Sequence, residues 1–382
     1  MEQTLLLNWV YYYPVGHAVE ALKVAKGYHS ANRGMKVSVL LNAETTVELA
    51  EACPWITRAY AIDTYEVAAR GLDAPSLRAV PAEWDYVVVD ERTVNSPDLF
   101  APAAKAFHKV AATYFRARRW QGARFEPPLE GAPRYRRDAK IRLRLPSHAR
   151  RFTRRYRHAG PTFCILPAGS SDEPIYPPLR WWIRLIRAVY EAFPDARVYA
   201  TGTSGKGRST THRYPREALQ PLLDACPDVV DAYDVGLWAQ LALIQTADVF
   251  IAPHTGFAFL APCLGTPWLA ISGARWPEYL FNQTPFYCVV PDCPRYPCYF
   301  NMKKACVNRM QRDTPVLCMD PRQLNPKIPE VLRGARLLLD DDFTYEKAVA
   351  LYREHVMRAG VARDRIFSFD GSISLTENDT TT

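Results

Sequence analysis

Residues 246–273, TADVFIAPHTGFAFLAPCLGTPWLAISG, hold two short apolar runs separated by a tight turn, a short helical pattern and a Gly-Thr-Pro turn. The runs, Val249–Ala252 and Trp268–Ser272, are continuous rather than alternating, so each asks to be buried on both faces. Strands of a parallel sheet with helices on both sides meet that demand. The turn Pro253–Gly256 then lies between the carboxyl end of a strand and the amino end of a helix, Phe257–Leu264. Open α/β sheets take ligands at that end, and unpaired backbone N–H groups there favour phosphate. His254, Thr255 and Gly256 are candidate contacts for such a ligand; an ordinary strand-to-helix turn is the alternative.

The same alternation runs through the chain. Thr4–Val10, Met35–Leu41, Ala59–Ile62 and Asp85–Asp90 read as strands, and His17–Asn32, Ala43–Cys53 and Pro97–Arg119 as helices. A second unit starts at Phe163. Its strands are Phe163–Leu166, Arg197–Thr201 and Val229–Tyr233, and its helices Leu179–Phe193, Pro215–Cys226 and Gly236–Thr246. Residues 274–325 read as Pro-, Cys- and aromatic-rich loops and Thr344–Ala359 as a last helix. A length of 382 residues suits two domains. We expect an amino-terminal Rossmann-like domain over 1–155 and a second over 156–340. A terminal helix over 341–366 and a disordered tail over 367–382 complete the expected layout.

The net charge of +8 comes from one segment: residues 116–157 carry fourteen Arg and Lys140 against Glu126, Glu130 and Asp138. Lys140–Leu145 reads there as a half-exposed strand and Ser147–His158 as a basic helix. A solvated face, or a surface for a phosphorylated glycan or anionic membrane, explains the charge. Nucleic acid is not expected, since no Gly/aromatic motif accompanies the arginines. No window is apolar enough to span a membrane, and the first fourteen residues lack a basic leader, so a cytoplasmic protein is expected, with the inner membrane face as a peripheral contact. Cysteines 53, 164, 226 and 263 fall in apolar elements and read as core. Cys293, Cys298, Cys306 and Cys318 supply four potential metal ligands, but their spacing fits no known zinc finger, so reduced or packing thiols are favoured over structural zinc.

Several stretches, in order, resemble glycosyltransferase family 9, the heptosyltransferase-like family. They are VELAEACPWITRAYAID (47–63), WDYVVVDE (84–91), ILPAGSS (165–171), APHTGFAFLAPCLGTPWLAISG (252–273), and the Cys series PDCPRYPCYF (291–300), Cys306 and CMD (318–320). The resemblance covers most of residues 1–335. It implies an α/β chain of GT-B fold, two Rossmann-like domains facing a cleft, with a terminal helix able to return to the first domain. The chain departs from the family pattern where His254 replaces an acid, Phe259 replaces a histidine, and no lysine stands near Pro174. These departures fall on the donor site and argue for a sugar nucleotide other than ADP-heptose.

The resemblance implies inverting glycosyl transfer from a nucleotide-diphosphate sugar, with no metal or other cofactor. Its base position is filled here by Gly16-His17, and a neutral histidine suits general-base work near pH 7. Glu20, one helical turn on, is placed to orient the ring; Gly16, Asp90 and Glu91 are expected on the acceptor side. Ser170, Ser171, Thr201, Gly202, Thr203, Thr255 and Gly256 are expected around the diphosphate, with His254 adding charge. Asp231 and Gly236 bound the loop expected to read base and ribose. The acceptor is a saccharide, either a cell-surface glycan or an aminocyclitol antibiotic precursor. A nucleotide-sugar 2-epimerase-like enzyme and a non-catalytic binding module remain alternatives. A dehydrogenase is not expected, since no Gly-x-Gly-x-x-Gly follows the first strand.

Overall fold

The computed structural model describes residues 3–11, 14–90, 101–123, 133–169, 175–204, 214–273, 280–293, 296 and 317–358. The chain divides into two compact units, Met1–Arg144 and Leu145–Thr382.

In the first unit, strands β1 (Thr4–Asn8), β2 (Lys36–Asn42), β3 (Arg58–Ile62), β4 (Glu83–Asp90) and β5 (Arg116–Ala123) form one parallel sheet in the order β3-β2-β1-β4-β5. Parallel neighbours need crossovers, and helices supply them. Helix α1 (Val15–Ala31) joins β1 to β2, α2 (Thr64–Arg70) and α3 (Pro75–Arg78) lie between β3 and β4, and α4 (Pro102–Tyr114) joins β4 to β5. Leu5, Leu6 and Leu7 of the central strand are all fully buried, as a continuous apolar run covered on both faces should be.

The arginine-rich segment is not one element. Its first part is β5, paired in parallel with β4 from Glu83↔Arg116 to Asp90↔Ala123. The expected helix 97–119 therefore ends at Tyr114, and an arginine-rich edge strand follows. Among the described residues only the strand's β4 side is paired, so its polarity is tolerated, and charge discourages edge-to-edge pairing. A second part, 133–145, is a strap laid along α1. The Asn32 amide donates to the Arg134 carbonyl (2.7 Å), the Arg136 N–H donates to the Gly27 carbonyl (3.2 Å), and buried Lys23 donates to the Ala139 carbonyl. Gly27 is required here, because a Cβ would lie 2.2 Å from the Tyr135 ring. Ala139, Ile141, Leu143 and Leu145 are buried while Arg142 and Arg144 are exposed. The expected alternation of 140–145 is real, but the segment pairs with no strand: it packs on a helix instead.

In the second unit, β6 (Thr162–Ile165), β7 (Arg197–Gly202), β8 (Val230–Tyr233), β9 (Val249–Pro253), β10 (Trp268–Ile271) and β11 (Phe286–Val289) form a parallel sheet ordered β11-β10-β9-β6-β7-β8. The helices are α5 (Ser147–Phe152), α6 (Leu179–Ala192), α7 (Arg216–Ala225), α8 (Leu237–Thr246), α9 (Leu260–Leu264), α10 (Pro321–Leu324), α11 (Ile328–Leu338) and α12 (Tyr345–Arg358). The expected basic helix 147–158 is α5 followed by a 3-10 turn over Thr153–Tyr156. Because α5 packs on α8, the junction falls at 144/145 rather than 155/156. The expected helix 43–53 is a 3-10 helix over Val47–Ala52, cut short before Pro54. Strand β11 lies inside the stretch expected to be loops, 274–325, and helix α11 lies beyond it, where no element is expected. Helix α12 packs on β11, with Tyr352 edge-on to Phe286 at 5.7 Å. Residues 367–382 lie outside the described residues.

Candidate active site

Each sheet has one topological switch point, where consecutive strands run off in opposite directions. In the first sheet it lies between β1 and β4, and in the second between β6 and β9. Open α/β sheets bind ligands outside the carboxyl ends of those strands.

At the first switch point, β1 runs into Trp9, Val10 and Tyr11, and α1 starts at Val15. His17 and Glu20 share a face in the first turn of α1, and Glu20 Oε2 lies 3.4 Å from His17 Nδ1. The same oxygen accepts the Trp9 Nε1–H at 3.3 Å. Trp9 and Glu20 are buried, whereas the His17 side chain keeps 24% of its surface exposed. This arrangement decides the tautomer. An indole nitrogen only donates and a carboxylate only accepts, so the nitrogen of His17 facing Glu20 carries the hydrogen. In the neutral ring the lone pair is then on Nε2, as a general base requires. Tyr11 packs edge-on against the His17 ring at 4.4 Å and restricts its rotation. Expected acceptor residue Gly16 lies in the same turn, Asp90 is fully buried at the end of β4, and Glu91 is outside the described residues.

His108 was not legible in the sequence. From α4 its Nε2 meets the Val10 carbonyl at 2.8 Å, a bond in which the ring donates. Burial pushes the imidazole below its ordinary value of 6.5, while the Val10 carbonyl and Asp90 pull it back part of the way. Glu20 and His108 thus hold the segment after β1, through Trp9 and Val10, across eleven and 98 residues of sequence.

At the second switch point, Gly169 after β6 and Thr255 after β9 are in contact: a Cβ on Gly169 would lie 2.7 Å from Thr255 Cγ2. Thr255 Oγ1 accepts the Ala258 N–H at 3.2 Å, which leaves its own hydrogen to donate. His254 stacks on Trp268 (6.3 Å, 23°) and meets Phe259 edge-on at 5.3 Å. Two of the three positions that depart from the family 9 pattern, His254 and Phe259, are therefore packed on each other. Thr203 lies half-buried beyond β7, and Gly256 half-buried beside Thr255. Ser170 and Ser171 lie outside the described residues.

Three expected donor residues make contacts of their own within the second unit. The Thr201 hydroxyl is buried within the sheet and donates to the Ile165 carbonyl at 2.9 Å, tying β7 to β6. Asp231 is held by the Arg216 guanidinium and accepts the Tyr233 N–H at 3.0 Å, so its charge is already matched. Gly202 packs under the Tyr233 ring, where a Cβ would lie 2.7 Å away. Gly236 has φ +84 and leads into α8. Asp234 binds the Ser204 N–H (2.8 Å) and hydroxyl (2.7 Å), closing the β7 and β8 loops on each other.

Among the described residues no group of three or more His, Cys, Asp or Glu side chains could hold a metal ion. Of the four cysteines considered for zinc, Cys293 is half-buried and Cys318 buried, while Cys298 and Cys306 lie outside the described residues. Cys53, Cys164, Cys226 and Cys263 are buried, and burial pushes the Cys164 thiol up to about 12. No described helix is long and apolar enough to cross a membrane.

No protein-family model and no curated protein matches the sequence. Solved structures do. Heptosyltransferase II of Escherichia coli, described as an ADP-heptose lipopolysaccharide enzyme, aligns at 11% identity over 87% of this chain and 99% of its own, with a TM-score of 0.55. A family 9 glycosyltransferase from Veillonella parvula aligns at 12% identity over 88% and 97%, with a TM-score of 0.61. The Escherichia coli heptosyltransferase WaaC, solved with ADP, aligns at 13% identity over 87% and 99%, with a TM-score of 0.50. The chain has the GT-B fold. The GT-B expectation drawn from the five stretches is met at the level of fold, and both switch points belong to GT-B Rossmann-like units.

Proposed function

We infer that this protein is an inverting glycosyltransferase that moves a sugar from a nucleotide diphosphate to a hydroxyl of a saccharide-like acceptor. The Trp9–Glu20–His17 arrangement carries this reading: a ring nitrogen with its lone pair fixed, at the ligand-binding edge of a GT-B unit. The acceptor hydroxyl gives its proton to His17 Nε2 as its oxygen attacks the anomeric carbon. The bond from that carbon to the diphosphate oxygen breaks, and the nucleoside diphosphate leaves with the electron pair. One displacement inverts the anomeric centre. Glu20 stabilises the imidazolium that forms, as a carboxylate does behind a catalytic histidine.

Backbone N–H groups at Gly169 and Gly256, the hydroxyls of Thr203 and Thr255, and His254 are the groups this reading assigns to the leaving charge, in place of a metal ion. The structural neighbours are named for ADP-heptose and ADP. The packed His254–Phe259 pair favours a different sugar nucleotide here. Exposed Arg134, Arg142 and Arg144 of the strap give the first unit a basic flank suited to a phosphorylated acceptor or an anionic membrane surface. The test is His17→Ala, which should lower turnover by about 10²–10⁴-fold with the melting temperature unchanged. Near-normal turnover would remove His17 as the base.

A further inference from the structure

We propose that the side-chain amides of Asn8 and Asn42 are hydrogen-bond donors to the hydroxyls of the saccharide acceptor, at the carboxyl edge of the first sheet. The proposal rests on the transferase reading above and adds two residues that the sequence did not single out. Strands β1 and β2 both end in Leu-Leu-Asn. Asn8 pairs in register with Leu40, so Asn8 and Asn42 lie on one face of the sheet, two residues apart along neighbouring strands. Leu6 and Leu40 belong to the core on that face. Each apolar row therefore changes to an amide where it reaches the edge at which an open α/β sheet takes ligands.

The two amides are held alike. Asn8 Oδ1 accepts the Val10 N–H at 3.4 Å, and Asn42 Oδ1 accepts the Glu44 N–H at 2.9 Å. These bonds settle which end of each amide is oxygen and leave an NH2 group, with two hydrogens, on the other end. Among the described residues neither nitrogen has a hydrogen-bond partner. Asn8 is 1% and Asn42 6% exposed, and a donor set so deep is costly to leave unpaired. Thr45 closes the same turn, its N–H donating to the Asn42 carbonyl at 2.9 Å. It is buried too, and its hydroxyl has no partner. The turns themselves need only the oxygens, which serine would also supply. A sugar hydroxyl donates and accepts at once, so neighbouring hydroxyls of one ring can satisfy both amides and the threonine. None of the three groups is charged, and the adjacent Glu44 is exposed and acidic, so an anion is disfavoured at this place.

The experiment is saturation-transfer NMR on the full chain with five probes: the methyl glycosides of glucose, galactose, mannose and N-acetylglucosamine, and 2-deoxystreptamine. Wild type is compared with Asn8→Ser and Asn42→Ser, which keep an oxygen for the turn and remove the amide. Thermal melts and binding of ADP, GDP, UDP, CDP and dTDP serve as controls. Wild type should bind at least one probe. Each serine variant should raise the Kd of that probe by about three- to tenfold, with melting temperature and diphosphate binding unchanged. Asn42→Asp, which keeps the size and the turn oxygen but cannot donate, should show the same loss. Equal probe affinity in wild type and both serine variants overturns the proposal, and so does a wild type that binds none of the five probes. A loss matched by an equal loss of diphosphate affinity overturns it as well, since the fold and not the amides would have changed. The expected probe loss in a protein that binds none of the diphosphates supports the saccharide site and removes the transfer reaction.

Discussion

Replacing Glu20 by Gln removes a charge at nearly constant volume, and its consequence can be worked from two distances. Glu20 Oε2 accepts from Trp9 at 3.3 Å and faces His17 Nδ1 at 3.4 Å. The Trp9 N–H will hold the oxygen of the new amide in that place, so both bonds survive in neutral form. The charge does not. A unit charge on the His17 ring at 3.4 Å from the carboxylate oxygen is worth at most about 5 kcal/mol at an effective dielectric near 20. His17 is partly exposed, and only part of the charge has developed in the transition state. About half of that figure should reach the barrier, a fall in turnover of roughly 50–100-fold. A second readout needs no substrate. Charge-assisted hydrogen bonds are about twice as strong as neutral ones, so the preference for hydrogen on Nδ1 should weaken by about 1 kcal/mol. Nitrogen-15 shifts of the His17 ring, with His17→Ala for assignment, report that balance. Full turnover together with an unchanged tautomer in Glu20→Gln would refute the reasoning.

Two further predictions concern stability. His108 is held below its ordinary value of 6.5, so the unfolded chain takes up a proton there first, and stability should fall as pH drops below about 6.5. His108→Gln, which can still donate to the Val10 carbonyl, should flatten that slope in urea melts at pH 7 and pH 5.5; an identical slope would argue against it. Burial also depresses His29 and His355, so part of the slope will remain. Lys23 is 1% exposed and donates to the Ala139 carbonyl beneath the strap. Lys23→Ala should destabilise the protein by about 2–4 kcal/mol in chemical denaturation, through a cavity and a lost charged hydrogen bond. A loss below 0.5 kcal/mol would mean that the strap does not depend on that tie.

Where apolar runs were long enough to have one reading, sequence and structure agree. TLLLN, DYVVVD and the two runs of 246–273 are central strands, because continuous burial leaves few alternatives. The disagreements lie at edges. Strand β5 is RARRWQGA, whose arginines read as solvated helix because only a partner strand makes them a sheet. Strand β11, FYCV, sits after a Pro- and aromatic-rich stretch that hid it. The site divides in the same way. His17 and Glu20 are three residues apart on one helix, a local relation that spacing reveals. Trp9 belongs to the same constellation but reads as a core residue until its indole is seen on Glu20. His108 reaches Val10 across 98 residues, and no pattern in one sequence carries that. Thr201 lies at the strand end that the sequence predicts, yet its hydroxyl points sideways into the sheet, which the order β9-β6-β7 decides and the local sequence does not.

The most direct test of a donor site at the second switch point is a thermal-shift titration of the intact protein with ADP, GDP, UDP, CDP and dTDP. The account predicts that one of them stabilises the protein selectively, by an amount that grows with ligand concentration. No stabilisation by any of the five, in protein that melts cooperatively without ligand, would contradict it.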